Sequence, residues 1–223
     1  MPSWGPEGAP RHDDLEGRKP PQVSSEATAI VESFRPTFAA YFDLIKGRVK
    51  NIHDCINRIA QSNGKPPLPP QAIGALLELT KDQMQGQPGG PVVTLDQMMK
   101  AFAKMVNLQE PKEKFEAKVV SVLSSEVTRL QHAVAVTTAV KEDLIRLHGK
   151  VGGTTSGLFA FVKDLMPEDA PELPQPVFCQ LIMQVPPDTL VIPQDIFVEQ
   201  FQMNLDSEDT EDKIRKALAK HLA

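Results

Sequence analysis

The longest regular pattern of hydrophobic and polar positions runs from Pro111 to Gly149. The stretch has no internal glycine or proline, and its apolar residues recur at alternating steps of three and four. This periodicity predicts a single α-helix. Pro111 suits its first position, and Gly149, followed by Gly152 and Gly153, suits its end. Such a helix would be about 58 Å long, so we expect it to need a long packing partner.

One face of this helix is predicted to carry helix packing or self-association. The predicted contact positions are Val120, Leu123, Val127, Leu130, Val134 and Leu144. Beyond Val134 the same seam passes through Thr137, Lys141 and His148, so the clean heptad pattern covers about two repeats. The opposite face is also apolar, which favours a helix packed on two sides over an isolated two-stranded coiled coil. A bundle contact within the chain is the preferred interpretation, and a homodimer stays open.

A second helical pattern covers Ser25–Ser62 and ends at Asn63-Gly64. Pro36 lies near its middle, and we expect it to kink or split the helix at Arg35. Two helical stretches of similar length favour an antiparallel hairpin or bundle. The predicted fold is therefore all-α: an elongated helical bundle built on residues 25–62 and 111–149, with short helices between and after them.

The remaining helical patterns are short and separated by prolines. A capping box formed by Thr94 and Gln97 predicts where one of them begins. The predicted short helices are Gln71–Gln85, Leu95–Val106, Leu158–Met166, Pro193–Met203 and a last amphipathic helix, capped by residues 206–209, that ends at Leu222. For residues 180–192 the pattern allows a small β-hairpin around Pro186-Pro187, or a short helix at Val177–Gln184.

Composition and charge divide the chain into three predicted regions. Residues 1–23 are rich in proline, glycine and charge and are expected to be a disordered tail; residues 24–166 form the bundle, and residues 167–223 a proline-punctuated acidic module. The net charge of −5 is uneven, because residues 164–223 carry −8 and residues 111–163 carry +3. An acidic chain without a dense basic stripe argues against direct binding of nucleic acid. The acidic region favours docking on a basic surface.

Motifs that would carry chemistry are weak in this sequence. The two cysteines, Cys55 and Cys179, match neither a disulfide framework nor zinc spacing. Residues 85–98 lack the oxygen ligands of a calcium loop, and residues 149–155 hold the letters of a phosphate loop in the wrong order. We therefore predict no catalytic, cofactor-binding or metal-binding residues, although a Cys/His pair assembled across the fold would restore an enzyme.

The preferred functional hypothesis is a non-catalytic scaffold, adaptor or complex subunit that binds protein partners through helical faces and its acidic C-terminal region. The candidate partner-binding residues are Ile196, Phe197, Phe201, Ile214 and Leu218. The alternative is an oligomeric coiled-coil cofactor of a polymerase or nucleoprotein complex, and an enzyme of unknown type comes third. Without a long apolar run or an apolar signal core, no membrane partner is expected and a cytoplasmic, at least intracellular, location is predicted.

Overall fold

The computed structural model describes residues 23–80, 83, 90–167 and 173–223. Over these residues the chain forms ten helices and no sheet strand, so the predicted all-α class is confirmed. In chain order the helices are α1 (Ser25–Glu32), α2 (Arg35–Ile45), α3 (Val49–Ser62), α4 (Pro70–Leu76), α5 (Leu95–Ala103), α6 (Lys112–Phe115, a π-helical turn Glu116–Val120, and Ser121–Lys150), α7 (Thr155–Lys163), α8 (Gln175–Val177 with a π-helical turn Phe178–Ile182), α9 (Gln194–Asn204) and α10 (Glu211–Leu222). The predicted disordered tail lies almost wholly outside the described residues.

The predicted helix over residues 25–62 is three helices rather than one. The break before Arg35 agrees with the expected effect of Pro36, which sits in the first turn of α2. The second break was not predicted: Lys46 and Gly47 both adopt positive φ, at 52° and 68°. A left-handed pair of residues cannot continue an α-helix, so α6 is the only long helix in the described part of the chain.

Most short helices were placed correctly to within a few residues. The Thr94–Gln97 capping box is present with both of its hydrogen bonds. The last helix is capped by Thr210 rather than by residues 206–209. Of the two alternatives for residues 177–192, the short helix is confirmed and the β-hairpin is wrong, because Phe178–Ile182 is helical and leads into a loop. The predicted helix Gln71–Gln85 is shorter, ending at Leu76, and part of its predicted range lies outside the described residues.

Two pairs of loops are joined by the same backbone pattern. In the first, the Val93 N–H donates to the Gly47 carbonyl at 3.0 Å and the Val49 N–H donates to the Pro91 carbonyl at 3.0 Å. In the second, the Ile192 N–H donates to the Gly153 carbonyl at 2.9 Å and the Thr155 N–H donates to the Leu190 carbonyl at 2.9 Å.

Each pair contains a single antiparallel bridge, Arg48 with Val92 and Thr154 with Val191. Each glycine has positive φ and ends a helix, and each bridge lies just before two helix N-termini. The chain therefore repeats one helix–loop–helix pairing twice.

The buried apolar side chains form two clusters that meet on α6. The N-terminal lobe comprises α1–α5 and α6 as far as Leu130, and its core also includes Met203 of α9. The C-terminal lobe begins at Ala133 on α6 and continues through α10. The long helix is thus a common wall of both cores, and it contacts α2 on one side of this boundary and α9 and α10 on the other. The predicted domain boundary near residue 166 stays a prediction.

Candidate partner-binding surfaces

The face of α6 predicted for packing or self-association lies largely against the chain's own helices. Of the predicted positions, Val120, Leu123, Leu130 and Leu144 are buried, whereas Val127 and Val134 are half-buried. The continuous buried seam alternates by four and three residues and consists of Val119, Leu123, Glu126, Leu130, Ala133, Thr137, Val140, Leu144 and Leu147. It coincides with the predicted seam at every second position and is displaced by one residue at the others.

Glu126 occupies a buried seam position because two arginines compensate its charge. Its carboxylate accepts a hydrogen bond from Arg58 of α3 and lies 3.2 Å from the Arg129 guanidinium of its own helix. Arg129 also donates to the carbonyl oxygens of Met203 and Leu205, at 3.3 and 2.5 Å. A buried charge with several charge-assisted partners is tolerated where an unpaired one would be destabilising. This network joins the two lobes at their boundary.

The five residues predicted to bind partners are core residues in this fold. Phe197, Ile214 and Leu218 have at most 1% of their surface exposed, and Ile196 and Phe201 are also buried. They pack within the C-terminal cluster, against α6 and α7. Phe201 also lines a groove on this lobe. The role of the five residues in partner binding stays a prediction, because a helical apolar stripe marks a face that must be covered without identifying what covers it.

The exposed apolar side chains of the C-terminal lobe lie instead on α8 and on the loop between α8 and α9. Leu181, Leu190 and Val191 are 58%, 78% and 57% exposed. They were missed because prolines interrupt this segment and leave no periodicity to read. The sequence signal that could have identified an exposed apolar surface was the presence of hydrophobic residues in a proline-flanked segment without helical or strand periodicity.

A groove of about 260 Å³ opens on the same lobe, and we call it the C-terminal groove. Its apolar lining includes Val162 of α7, Leu165 in the turn after α7, Ile182 of α8 and Phe201 of α9. The groove is smaller than the roughly 300–1,000 Å³ of typical small-molecule sites. Its size suits the insertion of one or two apolar side chains from a larger partner.

The rim of the C-terminal groove is acidic. Asp206, Glu208 and Asp209 line it together with one basic residue, Lys213. The Lys213 ammonium lies 2.7 Å from Asp209, whereas Asp206 and Glu208 are exposed and form no ion pair with any of the residues that the structure describes. Although burial opposes it, the Asp206 charge acts on Arg58 and helps to raise the pKa of that guanidinium, so Glu208 is the more isolated of the two carboxylates. The groove thus presents a net negative rim beside an apolar floor.

A wider cavity of about 780 Å³ lies in the N-terminal lobe, between α1 and α5. The charged side chains on its rim are paired with one another: Arg35 contacts Glu32 at 2.7 Å and Asp96 at 3.1 Å, and Lys100 contacts Glu78 at 2.8 Å. These contacts lower the pKa values of Glu32 and Glu78, through hydrogen bonds from Arg35 and from Lys100 with Lys104. Each charged side chain on this rim therefore has an oppositely charged neighbour at ion-pair distance.

Both thiols are interior. Cys55 of α3 is buried beside Tyr41, and burial, followed by the nearby Glu126 charge, raises the pKa of the Cys55 thiol to about 12. Burial also raises the pKa of Cys179 and of the Tyr41 phenol, whose O–H donates to the Asn51 carbonyl at 2.8 Å. A nucleophilic cysteine needs a thiolate in contact with solvent, and neither thiol meets that condition.

Among residues 23–80, 83, 90–167 and 173–223, no group of three or more His, Cys, Asp or Glu side chains is placed to hold a metal ion. In the same part of the chain, none of the helices combines the length and the apolar character that crossing a lipid bilayer requires. Comparison of the chain with models of known protein families, with curated proteins and with solved structures found no match.

Proposed function

We propose that this protein is a non-catalytic adaptor or complex subunit whose C-terminal groove binds an amphipathic helix of a partner protein. The partner helix carries apolar side chains on one face and lysines or arginines beside them. The observation that supports this is the juxtaposition of an apolar floor with a rim of three carboxylates and one lysine, on which Glu208 is exposed and forms no ion pair with a described residue. A helix laid in an apolar groove is a common mode of peptide recognition, and complementary charge at the rim selects the partner and speeds association.

The surroundings of the two cysteines also favour binding over catalysis. Cys55 and Cys179 are the residues for which a nucleophilic role was conceivable, and burial raises the pKa of both. The histidines of the core helices contact backbone carbonyls: His53 contacts Leu68 and His148 contacts Ile192, each at 2.8 Å. These contacts hold loops against helices.

The seam of α6 supports an adaptor more than a coiled-coil cofactor. A parallel or antiparallel coiled coil requires the a and d positions of the helix to face a second chain. In this fold those positions face α2, α9 and α10 of the same chain. Homodimerisation through another surface stays a prediction.

The proposal is tested by titrating the full chain with a synthetic amphipathic helix of about 18 residues built from leucine and lysine, which gives roughly five turns. The control peptide has the same pattern with glutamate in place of lysine. We expect calorimetric binding of the leucine–lysine peptide and none of the control. Glu208→Lys should weaken binding about fivefold, the equivalent of roughly 1 kcal/mol.

A matched control separates the groove from the overall acidity of the chain. Glu142 is exposed on α6 and does not line the groove, so Glu142→Lys makes the same change of charge elsewhere and should leave the affinity unchanged. Leu165→Gln, with helicity checked by circular dichroism, should weaken binding through the apolar floor. If Glu142→Lys reduces the affinity as much as Glu208→Lys, the attraction is non-specific and the proposal fails.

A further inference from the structure

The segment that leads from α3 into the first residue of α4 has the sequence Lys65-Pro66-Pro67-Leu68-Pro69-Pro70, and we call it the proline ridge. Proline fixes φ near −65°, and a residue that precedes proline is driven to extended ψ. All but two of the six residues, Pro67 and Pro70, precede a proline. At Pro69 the backbone has φ −69° and ψ 155°, close to the polyproline II values of about −75° and +145°. At Pro69 the backbone therefore has the conformation that the sequence dictates, and we infer the same conformation for the rest of the ridge.

The ridge is held on the protein by its central residue. The Leu68 N–H donates to the Asn57 side-chain oxygen at 2.7 Å, and the Leu68 carbonyl accepts from His53 Nε2 at 2.8 Å. Both partners are on α3, and the Leu68 side chain packs on the N-terminal core. These contacts fix the distance of the ridge from α3 and its rotation about its own axis.

The rotation decides which side chains face outward. A polyproline II helix has three residues per turn, so Lys65 and Leu68 lie on one edge, Pro66 and Pro69 on a second, and Pro67 and Pro70 on the third. With the first edge anchored by Leu68, the two proline edges remain. All four prolines are exposed. Two adjacent edges of paired prolines are what an aromatic-lined groove needs to grip a polyproline II ligand.

We propose that the proline ridge is a docking site for a WW domain of a partner protein. The groove of a WW domain is formed by aromatic side chains that pack on proline rings, and it needs no charged residue at a fixed distance from the prolines. The ridge supplies Pro-Pro-Leu-Pro at residues 66–69 in an ordered conformation. Because the backbone is already fixed in the folded chain, binding does not incur the ordering cost that a flexible peptide incurs.

The site is separate from the C-terminal groove. The ridge belongs to the N-terminal lobe, and the groove to the C-terminal lobe. A chain with one docking site on each lobe would connect a WW-containing protein to the owner of a basic amphipathic helix. The ridge does not depend on the groove, and either proposal can fail without the other.

The test is a calorimetric titration of the full chain with an isolated WW domain that binds Pro-Pro-Leu-Pro peptides. We expect a dissociation constant on the order of 10 µM, about −7 kcal/mol. Replacing both Pro66 and Pro67 by alanine should weaken binding at least about tenfold, because exposed prolines carry the contact and contribute little to the core. Glu208→Lys should leave this binding unchanged.

The chain offers a matched control in Pro186-Pro187, an adjacent pair of prolines that is also exposed. Replacing both of these by alanine removes the same groups from a loop and should leave the affinity as it was. A synthetic peptide of residues 63–72 should bind more weakly than the full chain, and Asn57→Ala should move the full chain towards the peptide's affinity. Absence of WW binding, or equal losses from the two double variants, would overturn the docking site; a peptide as tight as the full chain would overturn the role of the anchored backbone.

Discussion

The two lobes pair their loops through the same four backbone groups but surround that pairing with different surfaces. In both lobes a left-handed glycine, Gly47 or Gly153, accepts from the residue that follows the bridge on the opposite loop. In the N-terminal lobe, α1 packs on α5, and Arg35, Glu32 and Asp96 join in ion pairs across the cavity between these helices. In the C-terminal lobe, Lys213 pairs with Asp209 on the rim of the groove, whereas Glu208 forms no ion pair with a described residue. The loop pairing therefore fixes how the helices of each lobe are connected, and the side chains around the pairing determine what each lobe can bind.

The largest expected effect tests whether the lobes are one cooperative unit. Phe102 of α5 and Phe197 of α9 occupy the helix that follows the bridge in each lobe, and both are completely buried. Replacing either by alanine should lower the free energy of unfolding by about 3–5 kcal/mol. Because α6 belongs to both cores, each variant should still unfold in a single transition, as measured by calorimetry and circular dichroism in urea.

Leu108→Ala provides the control for the phenylalanine variants, because Leu108 is 46% exposed and its loss should change stability by less than about 0.5 kcal/mol. Two separate unfolding transitions, only one of which shifts in each variant, would show that the lobes unfold independently. The two lobes would then not be one cooperative unit.

A smaller effect distinguishes the two loop glycines. Both Gly47 and Gly153 have positive φ, which costs a residue with a Cβ about 1–2 kcal/mol. A Cβ at Gly47 would meet the Val93 carbonyl oxygen at 2.4 Å, whereas at Gly153 its nearest neighbour would be the His148 ring, at 2.7 Å. The Val93 carbonyl belongs to the paired backbone and cannot move away from an added Cβ as easily as the His148 side chain can. We expect Gly47→Ala to destabilise by about 3 kcal/mol and Gly153→Ala by about 2 kcal/mol.

Gly64→Ala isolates the contribution of the backbone in this series. Gly64 has φ of 66°, and a Cβ there would have no neighbour within 4 Å. Its loss of stability in urea denaturation should be the smallest of the three. If the three substitutions lower the free energy of unfolding by the same amount, the close approach of the opposite loop does not contribute to their effect on stability.

The smallest effect compares the two thiols. The pKa of Cys55 is about 12 in the fold against 9.0 for a free thiol, so the folded state keeps a proton that the unfolded state loses. The contribution of the Cys55 thiol to the free energy of unfolding is fully present below pH 9. It is lost as the pH rises towards 12, by up to about 1.4 kcal/mol per pH unit. Urea denaturation at about pH 8.5 and pH 10 under reducing conditions should show a weaker pH dependence in Cys55→Ala than in the wild type.

Cys179→Ala is the matched variant in the other lobe. The pKa of Cys179 is raised by burial and by the Asp188 charge, but a hydrogen bond with Thr155 acts in the opposite direction, so we expect the variant to alter the pH dependence less. The raised pKa of Tyr41 acts in the same direction and is present in both variants. An unchanged pH dependence in Cys55→Ala would show that Cys55 gains no such protection from burial.

The sequence predicted the class of the fold and the length of α6, because apolar periodicity, caps and breakers are local signals. It placed the seam of α6 imperfectly for a reason that is not local. Glu126 is buried only because Arg58, 68 residues away, supplies a partner. A pattern that counts carboxylates as exposed assigns the position to Val127 instead. Ala133 was overlooked in the same way, since a small residue gives a weak hydrophobic signal where helices approach closely.

The break at Gly47 and the candidate binding residues show two further limits. A single glycine within a helical pattern costs only about 1 kcal/mol in a helix, so its presence did not decide between a helix and a turn. The pairing with the loop around Val93 decided it. Phe197 and Leu218 were predicted as binding residues from amphipathic spacing, which is the same for a helix packed on its own chain. The exposed carboxylate of Glu208 gave no such pattern.

Met203 sits at the end of α9, yet it belongs to the core of the N-terminal lobe, and Glu199 of the same helix pairs with Arg48 at 2.8 Å. Chains are synthesised from the N-terminus at roughly 5–20 residues per second, and domains that are complete early can fold during synthesis. The first lobe of this protein is not complete early. Its last core side chain is made only after α7, α8 and most of α9, so the part of the N-terminal core that Met203 covers stays exposed until most of the second lobe has been made.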